Sequence, residues 1–144
     1  MLNRKIVGAI LAAGKGNRIK PLNFHFPKPL LPIANKPIMQ YQIEEMKELG
    51  IKEIYIVVGH LGNQIKKTFG TGKKLGLKIT YVEQKERLWF AHAVGQLEPY
   101  VKFPFLLYLG DLFYVSDRLK KMITVFRKNK DIGAVLAVKK EENP

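Results

Sequence analysis

The feature that most constrains the fold is the alternation of apolar runs with amphipathic segments along the whole chain. Apolar runs typical of buried strands lie at 6–11, 54–58, 77–82, 105–109 and 132–138. Helical patterns lie between them, at 37–49, 64–69, 91–97 and after Ser116. Such alternation predicts an α/β protein, with a three-layer, Rossmann-like, mostly parallel sheet that carries helices on both faces.

The ends of two helices can be predicted from single residues. The first helix is expected to begin near Pro37, with Asn35 as its cap, and to end at Gly50. We expect its buried face to carry Ile38, Tyr41, Met46 and Leu49. The last helix is expected to be capped by Ser116-Asp117, with Leu119, Met122, Ile123 and Phe126 on its apolar face.

A glycine-rich loop follows the first predicted strand. Gly14 and Gly16 let backbone N–H groups approach an anion without a Cβ in the way, and Lys15, Arg18 and Lys28 add positive charge. Arginine can hold phosphate oxygens in a bidentate manner, and a rigid Pro-Lys-Pro segment carries Lys28. These residues predict a polyphosphate-binding loop.

Two better-known phosphate motifs do not fit. A dinucleotide-binding fingerprint needs a third glycine where this chain has Ile19. The segment 70–74 lacks both the spacing and the hydroxyl of a Walker A loop.

Asp111 follows the predicted strand at 105–109, so it lies at the same kind of strand end as the glycine loop. Ligands of parallel sheets bind beyond the carboxyl ends of the strands, so the two segments are expected to face one crevice. Magnesium prefers hard carboxylate oxygens and shares its shell with phosphates and water, which makes Asp111 a metal-ligand candidate. The alternative is that Asp111 only caps a turn after Gly110.

Composition narrows the protein class. The chain has 144 residues, 47% hydrophobic and 26% charged, and no cysteine. We expect one domain over 1–144 with a frayed tail at 139–144, no membrane-spanning segment, no signal peptide and therefore a cytoplasmic location. The net charge of +13 is spread over dispersed lysines, which favours an anionic small substrate over nucleic acid.

Several segments together resemble a known family. They lie, in order, at 11–18, 26–33, 35–38, 50–51, 56–59, 81–84, 91–93 and 109–111. In this order they resemble the sugar-phosphate nucleotidylyltransferases, which include glucose-1-phosphate thymidylyl- and uridylyltransferases and mannose-1-phosphate guanylyltransferases. The resemblance spans nearly the whole chain.

The resemblance implies transfer of a nucleotidyl group from a nucleoside triphosphate, with Mg²⁺, to a sugar-1-phosphate, giving a nucleotide-sugar and pyrophosphate. Arg18 and Lys28 would be catalytic, and Asp111 would bind the metal ion. Nucleotide-binding residues would be Leu11, Ala13, Gly14, Lys15, Gly16, Asn17, Arg18, Gln84 and Trp89.

The chain also departs from the family pattern. Trp89 stands where the family has a glycine, so its indole would either block the base pocket or stack on the base. Leu112 replaces a frequent asparagine, and the chain ends before the sugar-binding part and a second metal-binding aspartate. It is therefore either a fragment or a short, degenerate relative, and we expect these residues alone to synthesise little nucleotide-sugar.

The alternative to an enzyme is a regulatory or assembly module like those of translation-initiation exchange-factor subunits. An unpaired edge after Val138 would favour a homo-oligomer.

Overall fold

The computed structural model describes residues 4–16, 21, 24–86 and 88–138. The chain divides into two compact units. Residues 5–113 form the larger unit, and the described residues of 1–4 and 114–144 form the smaller one.

The larger unit alternates strands and helices. Its strands are β1 (Val7–Ala12), β2 (Pro32–Ile33), β3 (Lys36–Pro37), β4 (Glu53–Val58), β5 (Lys78–Glu83) and β6 (Phe105–Leu109). Its helices are α1 (Ile38–Glu48), α2 (Gly62–Phe69) and α3 (Trp89–Gly95), with 3-10 turns at Lys28–Leu30 and Lys73–Leu75. The strands predicted at 6–11, 54–58, 77–82 and 105–109 are confirmed to within one residue, and the helix predicted at 91–97 is displaced by two.

Four of these strands form one parallel sheet. The order is β5-β4-β1-β6, and β1 pairs in parallel with both β4 and β6. Helices cover both faces. On one face, α1 comes so close to β1 that a Cβ built on Gly8 would lie 2.5 Å from Met46 Sδ. On the other, Ala93 and Leu97 form a buried cluster with Ala9 and Val57. The predicted fold class is thus confirmed.

The beginning of α1 differs from the prediction. Asn35 does not cap the helix but has φ +62, beside Ala34 at φ +47, in the turn between β2 and β3. Asparagine tolerates this left-handed conformation, which tight hairpin turns require. Pro37 precedes the first helical residue and makes no side-chain cap. The predicted end is confirmed, since Gly50 has φ +80 directly after the helix.

The predicted buried face of α1 is largely wrong. Its buried residues are Met39, Gln42, Ile43 and Met46, so only Met46 was anticipated. Ile38, Tyr41 and Leu49 are half-buried instead. The helical periodicity was predicted correctly, but α1 is rotated about its axis relative to the prediction, so that Gln42 faces the core.

The smaller unit contains α4 (Leu119–Lys128). Leu119 and Ile123 are buried, and Met122 and Phe126 half-buried, which confirms the predicted apolar face. Ser116 Oγ accepts a hydrogen bond from the Arg118 N–H, so it precedes the helix without capping it directly.

The strand expected at 132–138 is wrong. None of these residues pairs in a sheet, and Leu136 and Val138 are 81% and 87% exposed. An apolar run becomes a strand only when it finds a hydrogen-bonding partner, which the sequence pattern does not reveal. Within the described ranges, no helix is long and apolar enough to cross a bilayer.

Candidate functional site

The topology of the sheet gathers the segments with candidate chemistry at one edge. The chain passes from β1 outward through β4 to β5 and then returns to the other side of β1 as β6. A crevice therefore opens at the carboxyl ends of β1 and β6, which is where parallel α/β sheets bind ligands. The glycine loop follows β1, and Gly110-Asp111 follows β6.

A cavity of ≈ 290 Å³ lies at this edge. Among the residues in its wall are nine predicted from the sequence, namely Leu11, Ala13, Gly14, Lys15, Gly16, Lys28, Gln84, Trp89 and Asp111. Apolar wall residues that were not predicted are Ala12, Pro29, Phe90, Ala93 and Leu109. The predicted Asn17 and Arg18 lie outside the described residues. The structure therefore places together every predicted site residue that it describes.

The two glycines of the loop differ in conformation and surroundings. Gly16 has φ +65, a conformation that glycine adopts without steric cost. A Cβ on Gly14 would have no neighbour within 4 Å, so this position faces open space. Together these positions leave the backbone of the loop accessible to a ligand.

Gly110 ties the end of β6 to the end of β1. Its N–H donates to the Leu11 carbonyl at 2.8 Å. A Cβ there would lie 3.0 Å from Leu11 O and 3.2 Å from Pro29 Cγ, so a larger residue would require these neighbours to move by a few tenths of an ångström. This contact holds Asp111, the next residue, close to Leu11 in the cavity wall.

Lys28 and Asp111 form an ion pair at the cavity. Lys28 Nζ lies 3.2 Å from Asp111 Oδ2, with the side chains 24% and 40% exposed. Lys28 begins a 3-10 turn and is flanked by Pro27 and Pro29, which restrict its backbone. The pair joins residues that are 83 positions apart, and their direct contact was not predicted.

The donor set at Asp111 suits a magnesium ion that binds together with phosphates. Mg²⁺ in phosphate-handling sites is held by one or two carboxylates, with the remaining ligands from substrate and water. Asp111 provides one accessible carboxylate in the cavity wall, where it already pairs with the ammonium group of Lys28. No cluster of three or more potential metal ligands occurs in the part of the chain that the structure describes.

Gln84 lies on the opposite side of the cavity, at the end of β5. It is 8% exposed, and its Nε2 lies 3.0 Å from His92 Nδ1. The other ring nitrogen of His92 lies 3.2 Å from Gln96 Nε2. A neutral imidazole has one donor and one acceptor nitrogen, so one of the two amides must present its oxygen instead. His92 thus helps to orient Gln84, a role that the sequence did not indicate.

Trp89 has an unusual conformation. It is the first residue of α3, its φ is +33, and it is 94% exposed. A side chain this exposed does not plug the cavity whose wall it joins. The expected blocking of the base pocket by Trp89 therefore does not occur in this structure, and stacking of the indole on a base stays a prediction.

Comparison with known proteins agrees with this arrangement. The profile of the nucleotidyl transferase family matches residues 7–144. The chain belongs to this family. The expected relationship with the sugar-phosphate nucleotidylyltransferases is confirmed.

Two curated relatives show the extent of the match. The chain is 37% identical to the low-salt glycan biosynthesis nucleotidyltransferase Agl11 of Haloferax volcanii, over 95% of this chain and 38% of that protein. It is 33% identical to a glucose-1-phosphate thymidylyltransferase of Streptomyces antibioticus, over 94% of this chain and 38% of that enzyme. The chain therefore spans about two fifths of the length of these relatives.

Two solved structures support the same relationship. A UDP-glucose pyrophosphorylase complexed with UDP-glucose superimposes with a TM-score of 0.73 at 30% identity, covering 85% of this chain and 54% of that one. A Bacillus anthracis protein described as a glucose-1-phosphate thymidylyltransferase gives a TM-score of 0.80 at 29% identity, over 87% of this chain and 51% of the other.

Proposed function

We propose that the cavity binds a nucleoside triphosphate with Mg²⁺, and that the whole protein transfers its nucleotidyl group to a sugar-1-phosphate. The observation that carries this proposal is the convergence of the glycine loop, Lys28, Asp111 and Gln84 on one cavity. The relatives include a glucose-1-phosphate thymidylyltransferase and a UTP–glucose-1-phosphate uridylyltransferase, whose names specify such substrates.

The glycine loop is the proposed site of the phosphate chain. Backbone N–H groups around Gly14 and Gly16 can donate to phosphate oxygens, as in other anion-binding loops. Lys15 and Lys28 add positive charge in the cavity wall. Arg18, which follows the loop in the sequence, is proposed to bind the β- and γ-phosphates that leave.

Asp111 is the proposed ligand of Mg²⁺. The ion, when bound, neutralises charge on the phosphate oxygens and orients them. Lys28, 3.2 Å from Asp111 in the same cavity wall, is proposed to donate to a phosphate oxygen and to stabilise negative charge at the α-phosphate.

Gln84 and Trp89 are the proposed contacts to the nucleobase. An amide donates and accepts at once, which suits the edge of a pyrimidine or purine. The exposed indole of Trp89 offers a flat surface beside the entrance, and base–aromatic stacking contributes about 1–3 kcal/mol per base. The base would then lie between a polar edge contact and an aromatic face.

The proposed reaction is an in-line displacement. A phosphate oxygen of the sugar-1-phosphate attacks the α-phosphorus, the bond from that phosphorus to the bridging oxygen of the β-phosphate breaks, and pyrophosphate leaves with the electron pair. The chemistry depends on orientation and charge neutralisation rather than on a protein nucleophile. This agrees with a site built from basic groups, one carboxylate and backbone N–H groups.

Nucleotide binding can be tested with the protein's own fluorescence, because Trp89 is the only tryptophan. We expect nucleoside triphosphates with Mg²⁺ to change the tryptophan emission, with calorimetry as a second measurement. Lys28→Met should weaken binding at least tenfold, because a hydrogen bond to a charged group contributes about 1.5–3 kcal/mol.

A matched control is Lys5→Met. Lys5 also pairs with a carboxylate, Glu53 at 2.7 Å, but precedes β1 at the opposite end of the sheet. Binding should be unchanged in this variant. The proposal is refuted when no common triphosphate binds at millimolar concentration in the presence of Mg²⁺.

A regulatory or assembly module is the second candidate, and Trp89 in place of the family's glycine favours it. Pyrophosphate release, measured over a panel of triphosphates and sugar-1-phosphates, separates the two. Sugar-dependent release supports the enzyme. Triphosphate binding without release is the result that we expect for residues 1–144 alone under either candidate, because they span about two fifths of the length of the relatives; the same result from the whole protein supports the module.

A further inference from the structure

A buried glutamine of α1 holds the turn that carries Asp111. Gln42 is 4% exposed, and its side chain points to the end of β6. Its Nε2 donates to the Leu109 carbonyl at 2.8 Å and to the Leu112 carbonyl at 2.7 Å. Those two carbonyls flank Gly110 and Asp111, so a single amide group spans the segment that bears the carboxylate.

The orientation of this amide is unambiguous. Both partners are carbonyl oxygens, which only accept hydrogen bonds, so the NH₂ group and not the oxygen must face them. The amide oxygen of Gln42 is buried and has no hydrogen-bond partner among the described residues. Burying an acceptor without a partner is unfavourable, and such a group in a folded protein calls for an explanation. An apolar side chain would fill the same space without this penalty.

Two backbone hydrogen bonds also restrain the turn, and neither of them reaches α1. The Leu112 N–H donates to the Leu109 carbonyl at 3.1 Å, and the Gly110 N–H donates to Leu11. Gln42 adds the contact that ties Leu112 to α1. One residue along the helix, the Tyr41 ring packs edge-to-face on Phe113 at 5.1 Å between centroids.

We propose that Gln42 is a positioning residue for Asp111, and that it sets the direction in which the carboxylate meets Mg²⁺ bound to a triphosphate. This inference rests on the proposed function of the cavity. Gln42 does not line the cavity, so its action passes through the backbone of the turn. Groups that orient a metal ligand commonly change metal affinity by about 10- to 100-fold when they are lost.

The test compares Gln42→Met with wild-type protein, and Gln42→Leu serves as a second variant of the same kind. Each removes both hydrogen bonds and also the unpartnered oxygen, so folding should be retained. The matched control is Gln40→Met on the same helix, since the Gln40 amide donates to Glu44 and not to the turn. All four proteins are titrated with triphosphate in Mg²⁺ and again in chelator.

The informative quantity is the ratio of the two dissociation constants for each protein. We expect Gln42→Met to weaken binding about tenfold in Mg²⁺ and to leave binding in chelator unchanged, whereas a general loss of structure would weaken both. Hydrogen exchange in the metal-free protein gives a second readout, with the Leu112 amide expected to exchange about tenfold faster. Gln40→Met should match wild type in both measurements.

The two proposals fail in different ways. Wild-type protein that binds no triphosphate in Mg²⁺ overturns the proposed function and this inference with it. Wild-type protein that binds, together with Gln42 variants whose Mg²⁺ dependence is unchanged, overturns this inference alone.

Discussion

Alanine usually makes a helix more stable than glycine does, but we expect the reverse when Trp89 is replaced. Trp89 begins α3 with φ +33, a region in which a Cβ lies too close to the backbone. Glycine has no Cβ and adopts this conformation freely. We therefore expect Trp89→Gly to be more stable than Trp89→Ala.

The expected difference in stability between the two variants is the balance of two opposing contributions. A residue with a Cβ in the left-handed region costs about 1–2 kcal/mol, and glycine is spared this. Glycine loses more conformational freedom on folding, which costs about 0.5–1 kcal/mol relative to alanine. The difference favours the glycine variant by about 0.5–1 kcal/mol. Loss of the indole is common to both variants and small in each, because the side chain is 94% exposed.

Urea denaturation is a suitable assay. With a slope of about 2 kcal/mol per M, the glycine variant should unfold at a midpoint about 0.25–0.5 M higher than the alanine variant. Ala91→Gly in the same helix is the matched control, and there we expect the ordinary loss of about 0.5–1 kcal/mol. Equal stability of the two Trp89 variants, or a more stable alanine variant, would show that the conformation at this residue is not strained.

Three further predictions can be checked with the purified chain. Gly110→Ala should destabilise the protein by about 1–3 kcal/mol in urea denaturation, because a Cβ would press on the Leu11 carbonyl at 3.0 Å; an unchanged midpoint would mean that the turn can move aside. Burial raises the pKa of Tyr81 to about 12, so absorbance at alkaline pH should show one tyrosine ionising late and Tyr81→Phe should abolish that step. The unfolded chain ionises near pH 10, so stability from this group is complete below pH ~10 and lost as pH rises towards 12. The homo-oligomer expected from the sequence remains a prediction, and a clean monomer in light scattering at high concentration would contradict it.

The strands and the edge of the sheet that carries the cavity could be predicted because their signals are local. A continuous apolar run followed by glycines, as at 6–16, indicates both a buried strand and an anion-binding loop. The run at 132–138 is likewise apolar, yet it forms no strand. The first run has neighbouring strands to pair with, and the run at 132–138 does not. Whether a segment finds such a partner depends on the whole fold and not on the segment's own sequence.

The hydrogen-bonded details of the site could not be predicted for a related reason. Gln42 lies on the buried face of α1, where an amphipathic pattern anticipates an apolar residue. His92 contacts Gln84, which lies eight residues before it in the sequence. It also contacts Gln96, which lies one helical turn after it. Each contact depends on the rotation of a helix about its axis, which hydrophobic periodicity determines only to within one residue, as the misplaced face of α1 shows.

The ion pair between Lys28 and Asp111 can hold both groups in place and still yield to a ligand. A solvent-accessible pair of this kind contributes about 0–1 kcal/mol, because water already screens both charges. A charge-assisted hydrogen bond from lysine to a phosphate oxygen contributes about 1.5–3 kcal/mol, and a carboxylate bound to Mg²⁺ gains a doubly charged partner. Exchange of one partner for two is therefore favourable. In the free protein the Asp111 carboxylate also offsets the positive charge of Lys28 in a cavity wall that contains Lys15 as well, which reduces the repulsion between the two lysines.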